Sequence, residues 1–257
     1  MPNIKERRDY ILSFSWDILL LVLGGGFLSG FIDSIAGGGA LQIPPHYAIG
    51  TNKFAATFGA AVSSYQFFKA GKVDMHLLYR LMPFTLGGAI IGCLFMLHLS
   101  AETLQPLVIL SLIAAAVFVF TRRGLGQHSS YTGMTQKTFW QGAAFALVIG
   151  LYDGFIGPGT GTFLIIAFAM LGFDFVVAAG NAKILNLVSN ITAFVLFIIS
   201  GKVLYVYGLV MALGIFLGAF FGSRMAIRHG SGFVRFVMMA VTTVLIGKLL
   251  LEYIGVI

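Results

Sequence analysis

The sequence predicts an all-α, polytopic membrane protein built from two homologous repeats, each containing a glycine-broken helix. Three observations carry that prediction. Of its 257 residues 58% are hydrophobic and 10% charged, with a mean hydropathy of +0.96, whereas a soluble domain carries about 25% charged residues. The apolar segments suit helices, which need about 20 residues to span, and they lack the ten-residue alternation of a membrane barrel. The same signals also occur twice in the same order. Gly30-Phe31-Ile32-Asp33, the cluster Gly37-Gly38-Gly39, Asn52-Lys53 and Gly71-Lys72-Val73 are matched by Tyr152-Asp153-Gly154, Gly157-Pro158-Gly159-Thr160-Gly161, Asn181 with Lys183, and Gly201-Lys202-Val203. Asp33 and Asp153 are 120 positions apart, while Lys53 and Lys183, like Lys72 and Lys202, are 130 apart. The first repeat is therefore ten residues shorter between its break and its lysine.

Taken in order, Lys5, Arg7 and Arg8 precede an apolar run that resembles a signal peptide, but no small-x-small cleavage site follows. The first helix, Trp16 to Ala36, therefore reads as a retained span that breaks at Gly37 to Gly39. Thr51-Asn52 offers cap oxygens for a new helix running to about Phe68. Gly71 to Asp74 is a surface turn, and Met82 to Leu99 with Leu104 to Phe120 is an apolar hairpin. Residues 1–121 make the first repeat, the polar stretch 122–137 is a linker, and 138–257 make the second repeat. In that second half Phe139 to Phe155 runs into Pro158, which lacks an amide and interrupts a helix. Phe163 to Leu171 is too short to span. Phe175 to Ile199, Tyr205 to Phe221 and Phe233 to Ile254 bring the total to roughly eight crossings plus half-helices.

Positive charge leaves two topologies open. With the N-terminus and the Arg122-Arg123 linker both cytoplasmic the repeats are parallel, and Arg224 and Arg228 fall on the far side. Counting Gly161 to Leu171 as a crossing restores those arginines and places Lys202 outside.

The candidate site follows from charges in apolar surroundings. An ionised carboxylate at mid-bilayer costs about 2.5 to 3.5 kcal/mol, so Asp33 and Asp153 need partners or water, and either is a candidate for proton coupling. The alternative is a helix-end aspartate at the interface. Lys53 and Lys183 lie close to asparagines near expected helix starts, where unpaired amides and half a positive charge make an anion site. Snorkelling lysines are the alternative. Asn181, Asn186 and Asn190, with Ser189 and Thr192, form a polar stripe beside Lys183, so Asn52, Lys53, Asn181, Lys183, Asn186 and Asn190 are the expected substrate contacts. Lys183, in the repeat of full length, is expected to contribute most. The breaks are assigned to Gly37, Gly38, Gly39, Gly157, Gly159 and Gly161, whereas Gly87, Gly88, Gly214, Gly218 and Gly222 read as helix-packing glycines.

Other chemistries find little support. Cys93 is the single cysteine, the five histidines are scattered without metal-ligand spacing, and no glycine-lysine pair completes a phosphate-binding loop. No metal, cofactor or nucleic acid is expected, the net charge of +7 being spread as topology signals. An intramembrane aspartyl protease using Asp33 and Asp153 is the enzymatic alternative, although its Gly-x-Gly-Asp and Pro-Ala-Leu runs are missing; a non-transporting assembly subunit is the third.

Gly30 to Gly39, followed by Ala48-Ile49-Gly50-Thr51-Asn52-Lys53, resembles the signature of the TauE/SafE family of sulfite and organosulfonate exporters. The second copy, from Tyr152 through Pro158 to Lys183 and Gly201-Lys202-Val203, is similar to that family's C-terminal half. The resemblance implies a carrier of small sulfur-containing anions in a bacterial inner membrane. Its implied partners are the anion and the bilayer, with self-association left open.

Overall fold

The structure, a computed structural model, describes residues 23–27, 45–98, 126, 128–155, 157 and 159–253. Among them regular structure is helical throughout: α1 (Pro45–Lys69), α2 (Met75–His98), α3 (Gln136–Phe155), α4 (Thr160–Met170), α5 (Phe175–Ile199) and α6 (Tyr205–Tyr253). Residues 23–27 are helical too. The stretches Met75–His98, Phe175–Ile199 and Tyr205–Ala240 are long and apolar enough to cross a membrane. The expected break at Gly37 to Gly39, Asp33 and the segment Leu104 to Phe120 lie outside the described residues.

Local chemistry explains the boundaries. α1 opens at Pro45, whose fixed φ and missing amide suit a first helical position. Thr51 and Asn52 consequently sit inside the helix rather than capping it, which corrects the sequence reading. The turn after α1 is formed as expected, with Gly71 at φ 64°. Asp74 then starts α2 earlier than its apolar run suggests, because its carboxylate accepts the Leu77 amide at 3.1 Å. Thr135 does the same for α3 through Thr138, and Asp174 caps α5 by accepting the Val176 and Val177 amides. The two expected helices after Tyr205 are both present as the two arms of α6, which meet at a break in the helical backbone at Gly230, with φ 78° and ψ −168°. The first arm runs past Phe221 because Arg224 and Arg228 reach the bundle end, where their charges need no burial.

α1 and α5 run antiparallel. The start of α1 packs at the end of α5, where Phe54 and Ile49 join Phe197, Val203 and Met96. The start of α5 packs at the end of α1, where Phe175 and Val176 join Phe67 and Leu77. The contacts that fix this come in matched pairs. Thr51 Oγ1 accepts the Leu204 amide at 3.0 Å, and Asn181 Oδ1 accepts the Asp74 amide at 2.8 Å. A Cβ on Gly50 would overlap the Lys202 carbonyl oxygen, and one on Gly180 would overlap that of Lys72. Each partner in one contact is 130 positions from its counterpart in the other.

α3 and α4 make a hairpin. α3 enters beside Tyr131, which stacks on Phe173 at 3.9 Å, and α4 ends at the same place, where Ser130 and Tyr131 donate to the Gly172 carbonyl. At 1.5 Å per residue the eleven residues of α4 span about 16 Å, half a bilayer core. α5 then crosses, so Lys202 lies at the opposite end from Arg224 and Arg228. Small residues hold α3 close to α2: a Cβ on Gly88 or Gly92 would overlap the α3 backbone, and one on Gly154 the α2 backbone.

Candidate functional site

The hairpin break lies beside a buried ion pair. Gly157 and Gly159 adopt φ of 95° and 82°, a region that side-chain-bearing residues avoid. Gly161, read from the sequence as part of the break, is instead in the first turn of α4. The turn places Asp153, near the end of α3, at the start of α4, where Thr160 Oγ1 donates to Asp153 Oδ1 at 2.9 Å. The positive end of the half-helix thus meets a carboxylate.

Asp153 is 1% exposed and accepts from three further groups. Lys53 Nζ, from α1, lies 2.7 Å from Oδ1. Asn186 Nδ2, from α5, lies 3.2 Å from Oδ2, and Ser189 Oγ donates to the same oxygen. Asn190 Nδ2 donates to Asn186 Oδ1 at 3.2 Å, which fixes the orientation of the Asn186 amide. Lys53 is 2% exposed, about 12 Å along α1 from Pro45 at the helical rise. Four helices therefore meet at one neutral ion pair.

Of the expected site residues the structure brings Lys53, Asp153, Asn186 and Asn190 together and sets Asn181 apart from them. The first amides of α5 are taken by Asp174, so they form no anion cradle around Lys183. Lys183 lies two turns into α5, buried at 1% exposure. Asn181 is at the end of the bundle, bound to the Asp74 amide rather than to the ion pair. Asn52 is half-buried beside Lys53. Sequence reasoning assigned no role to Thr160, although a hydroxyl directly after a glycine break was the available signal. Ser189 entered only as part of a stripe.

Outside the bundle core, Asp74 binds the linker. The Tyr131 hydroxyl donates to its carboxylate, and burial, then the Asp74 charge and that hydrogen bond, push the Tyr131 phenol up to about 12. A groove of about 760 Å³ between α1 and α6, lined by Phe58, Tyr65, Phe216 and Arg224 among others, does not include the ion pair.

Comparison with known proteins gives a consistent answer. The family model for the sulfite exporter TauE/SafE matches residues 21–249. A probable membrane transporter protein, YfcA, of Escherichia coli strain K12 is 35% identical over 239 residues, 88% of this chain and 87% of the relative. The probable membrane transporter protein ORF9 of a Sinorhizobium species is 32% identical over 248 residues, covering 93% and 94%. A probable membrane transporter protein of Haemophilus influenzae is 29% identical over 246 residues, covering 92% and 96%. No solved structure matches the chain. The family and these relatives are described as membrane transporters, not enzymes, which sets the protease reading aside. The chain is a multi-pass membrane transporter and belongs to the sulfite exporter TauE/SafE family.

Proposed function

We propose that the protein carries small sulfur-containing anions, sulfite or organosulfonates such as sulfoacetate, across a bacterial inner membrane, with Lys53 supplying the counter-charge and Asp153 the link to protons. The observation that supports it is the buried Lys53–Asp153 pair at the start of the half-helix α4. A carboxylate already occupies the place an oxyanion would take, between an ammonium, a helix N-terminus and the Asn186 amide. A substrate sulfonate offers the same acceptor oxygens. Lys183, 130 positions from Lys53 and equally buried, is proposed as the second half-site.

Residues 1–121 and 138–257, joined by 122–137, are proposed to be inverted repeats. The matched contacts of Gly50 with Lys202 and Gly180 with Lys72 support this, since antiparallel equivalents are related by a two-fold axis lying in the membrane plane. Lys69, Lys72, Lys137, Arg224 and Arg228 share the end where the linker lies, which makes that end cytoplasmic by the positive-inside rule.

Sulfite and sulfoacetate flux in proteoliposomes under an imposed proton gradient tests the site. Lys53→Gln and Lys183→Gln proteins that still insert should lose flux. Wild-type flux in Lys53→Gln would overturn the assignment, and flux indifferent to the gradient would remove the proton link.

A further inference from the structure

Both hydroxyls that serve Asp153 have a second acceptor. Thr160 Oγ1 stands 2.9 Å from Asp153 Oδ1 and 2.6 Å from the Gly157 carbonyl oxygen. Ser189 Oγ reaches Asp153 Oδ2 and stands 3.0 Å from the Asn186 carbonyl oxygen. A hydroxyl has one hydrogen and two lone pairs, so each can give its hydrogen to the carboxylate or turn it to the backbone and present a lone pair instead. Lys53 Nζ only donates. Asn186 Nδ2 only donates as well, since its oxygen is committed to Asn190. The arrangement serves an ionised carboxylate with four donors, yet it also offers a protonated carboxyl a ready acceptor, leaving no buried polar group stranded.

Charge gives this a direction. An anion docking on Lys53 sets its charge beside the Asp153 carboxylate that already lies 2.7 Å from the same ammonium, and one proton on Asp153 removes that like-charge repulsion. Other titratable groups on the packed helices include Cys93 of α2, within electrostatic reach of Lys53, Tyr152 of α3, next to Asp153 in the chain, and Lys183 of α5, one turn before Asn186. α4 contributes the neutral Thr160.

Resting on the anion-site reading above, we infer that Asp153 takes up one proton from water as the anion binds Lys53, with the Thr160 and Ser189 hydroxyls turning to accept it, so that proton and anion travel in the same direction. The proton forms an O–H bond on the carboxylate, and no other bond changes. Linkage is reciprocal, so acid strengthens anion binding as the anion strengthens proton binding. An inward proton gradient then favours anion entry and opposes exit. Export must accordingly run on the anion's own gradient.

The test uses the full chain in lipid nanodiscs with isethionate, whose sulfonate stays ionised throughout the range. Calorimetric titration in buffers of different ionisation enthalpy counts protons per anion bound. The expected result is uptake approaching one proton per anion, with affinity falling about tenfold per pH unit on the alkaline side. Asp153→Asn should bind with no proton uptake and with constant affinity. The double change Thr160→Val with Ser189→Ala should narrow the pH range over which uptake occurs from both sides, while Thr160→Ser alone leaves it in place. Binding without uptake in the wild type, proton release, or undiminished uptake in Asp153→Asn would overturn the inference. Isethionate that fails to bind at any pH, or that binds equally well to Lys53→Gln, would instead overturn the anion site and the inference with it.

Discussion

The Asn181 side-chain oxygen accepts the Asp74 backbone amide at 2.8 Å, tying the start of α5 to the turn that leaves α1. Asn181 stands two positions from Lys183, yet it holds the bundle together at one end instead of touching the ion pair. Replacing it with alanine leaves a half-buried amide without its acceptor, at a cost of about 1 to 3 kcal/mol. Asn181→Ala is therefore expected to melt earlier in detergent while binding anions with wild-type affinity. A loss of affinity at unchanged melting temperature would return Asn181 to the substrate site.

Lys53 and Asp153 should behave as a unit. Removing one member of a buried pair strands the other and costs about 3 to 5 kcal/mol, whereas removing both does not. Lys53→Gln is expected to lose that stability, and Lys53→Gln with Asp153→Asn to recover most of it. Chemical denaturation of the two single variants and the double variant closes the cycle. Additive losses would mean that the two side chains do not depend on one another.

Gly50 and Gly180 predict equal sensitivities at positions 130 apart. A methyl group at either overlaps a backbone carbonyl that cannot retreat alone, and overpacking of this kind costs about 1 to 3 kcal/mol. Gly50→Ala and Gly180→Ala should lower the melting temperature by similar amounts. Gly71→Ala has open space around its side-chain position but a φ of 64°, so it should lose stability through backbone strain alone.

Orientation can be read chemically, because Cys93 is buried and offers little background. Lys72→Cys should react with an impermeant maleimide only from the cytoplasmic side and Lys202→Cys only from the outside. Labelling of both from one side would contradict the antiparallel arrangement of α1 and α5.

Tyr131 gives a pH signature outside the membrane spans. Its phenol is held protonated by burial and by Asp74, with a pKa pushed up to about 12 against the ordinary value near 10. A raised pKa stabilises the fold below the unfolded value, and that contribution disappears as pH rises through the folded one. Ultraviolet difference titration of wild type against Tyr131→Phe should show one tyrosine ionising near pH 12. An ordinary titration near pH 10 would separate Tyr131 from Asp74.

Much of this was legible in the sequence, for identifiable reasons. Composition and helix length announce a membrane bundle, since α5 occupies the residues its apolar run marks out. The duplicated aspartate and lysine are visible because charge in lipid is expensive. What spacing cannot show is which lysine meets which carboxylate. Within the second repeat Asp153 stands 30 positions before Lys183, yet the structure pairs it with Lys53 of the other half, because α1 packs on α5 and α2 on α3. Helix starts were misread at Thr51 for a related reason. A threonine looks the same whether it caps its own helix or, as here, holds the Leu204 amide of a distant turn.

Lys53 and Asp153 are 100 positions apart along the chain. A ribosome adds about 5 to 20 residues per second, so the lysine emerges roughly 5 to 20 seconds before its carboxylate exists. During that wait α1 lacks both α5 and α6, the helices against which it packs, and its charge must be sheltered by the insertion machinery or by water drawn into the bilayer. The delay is written into the connectivity: Lys53 can meet its carboxylate only once the chain as far as Asp153 has been synthesised.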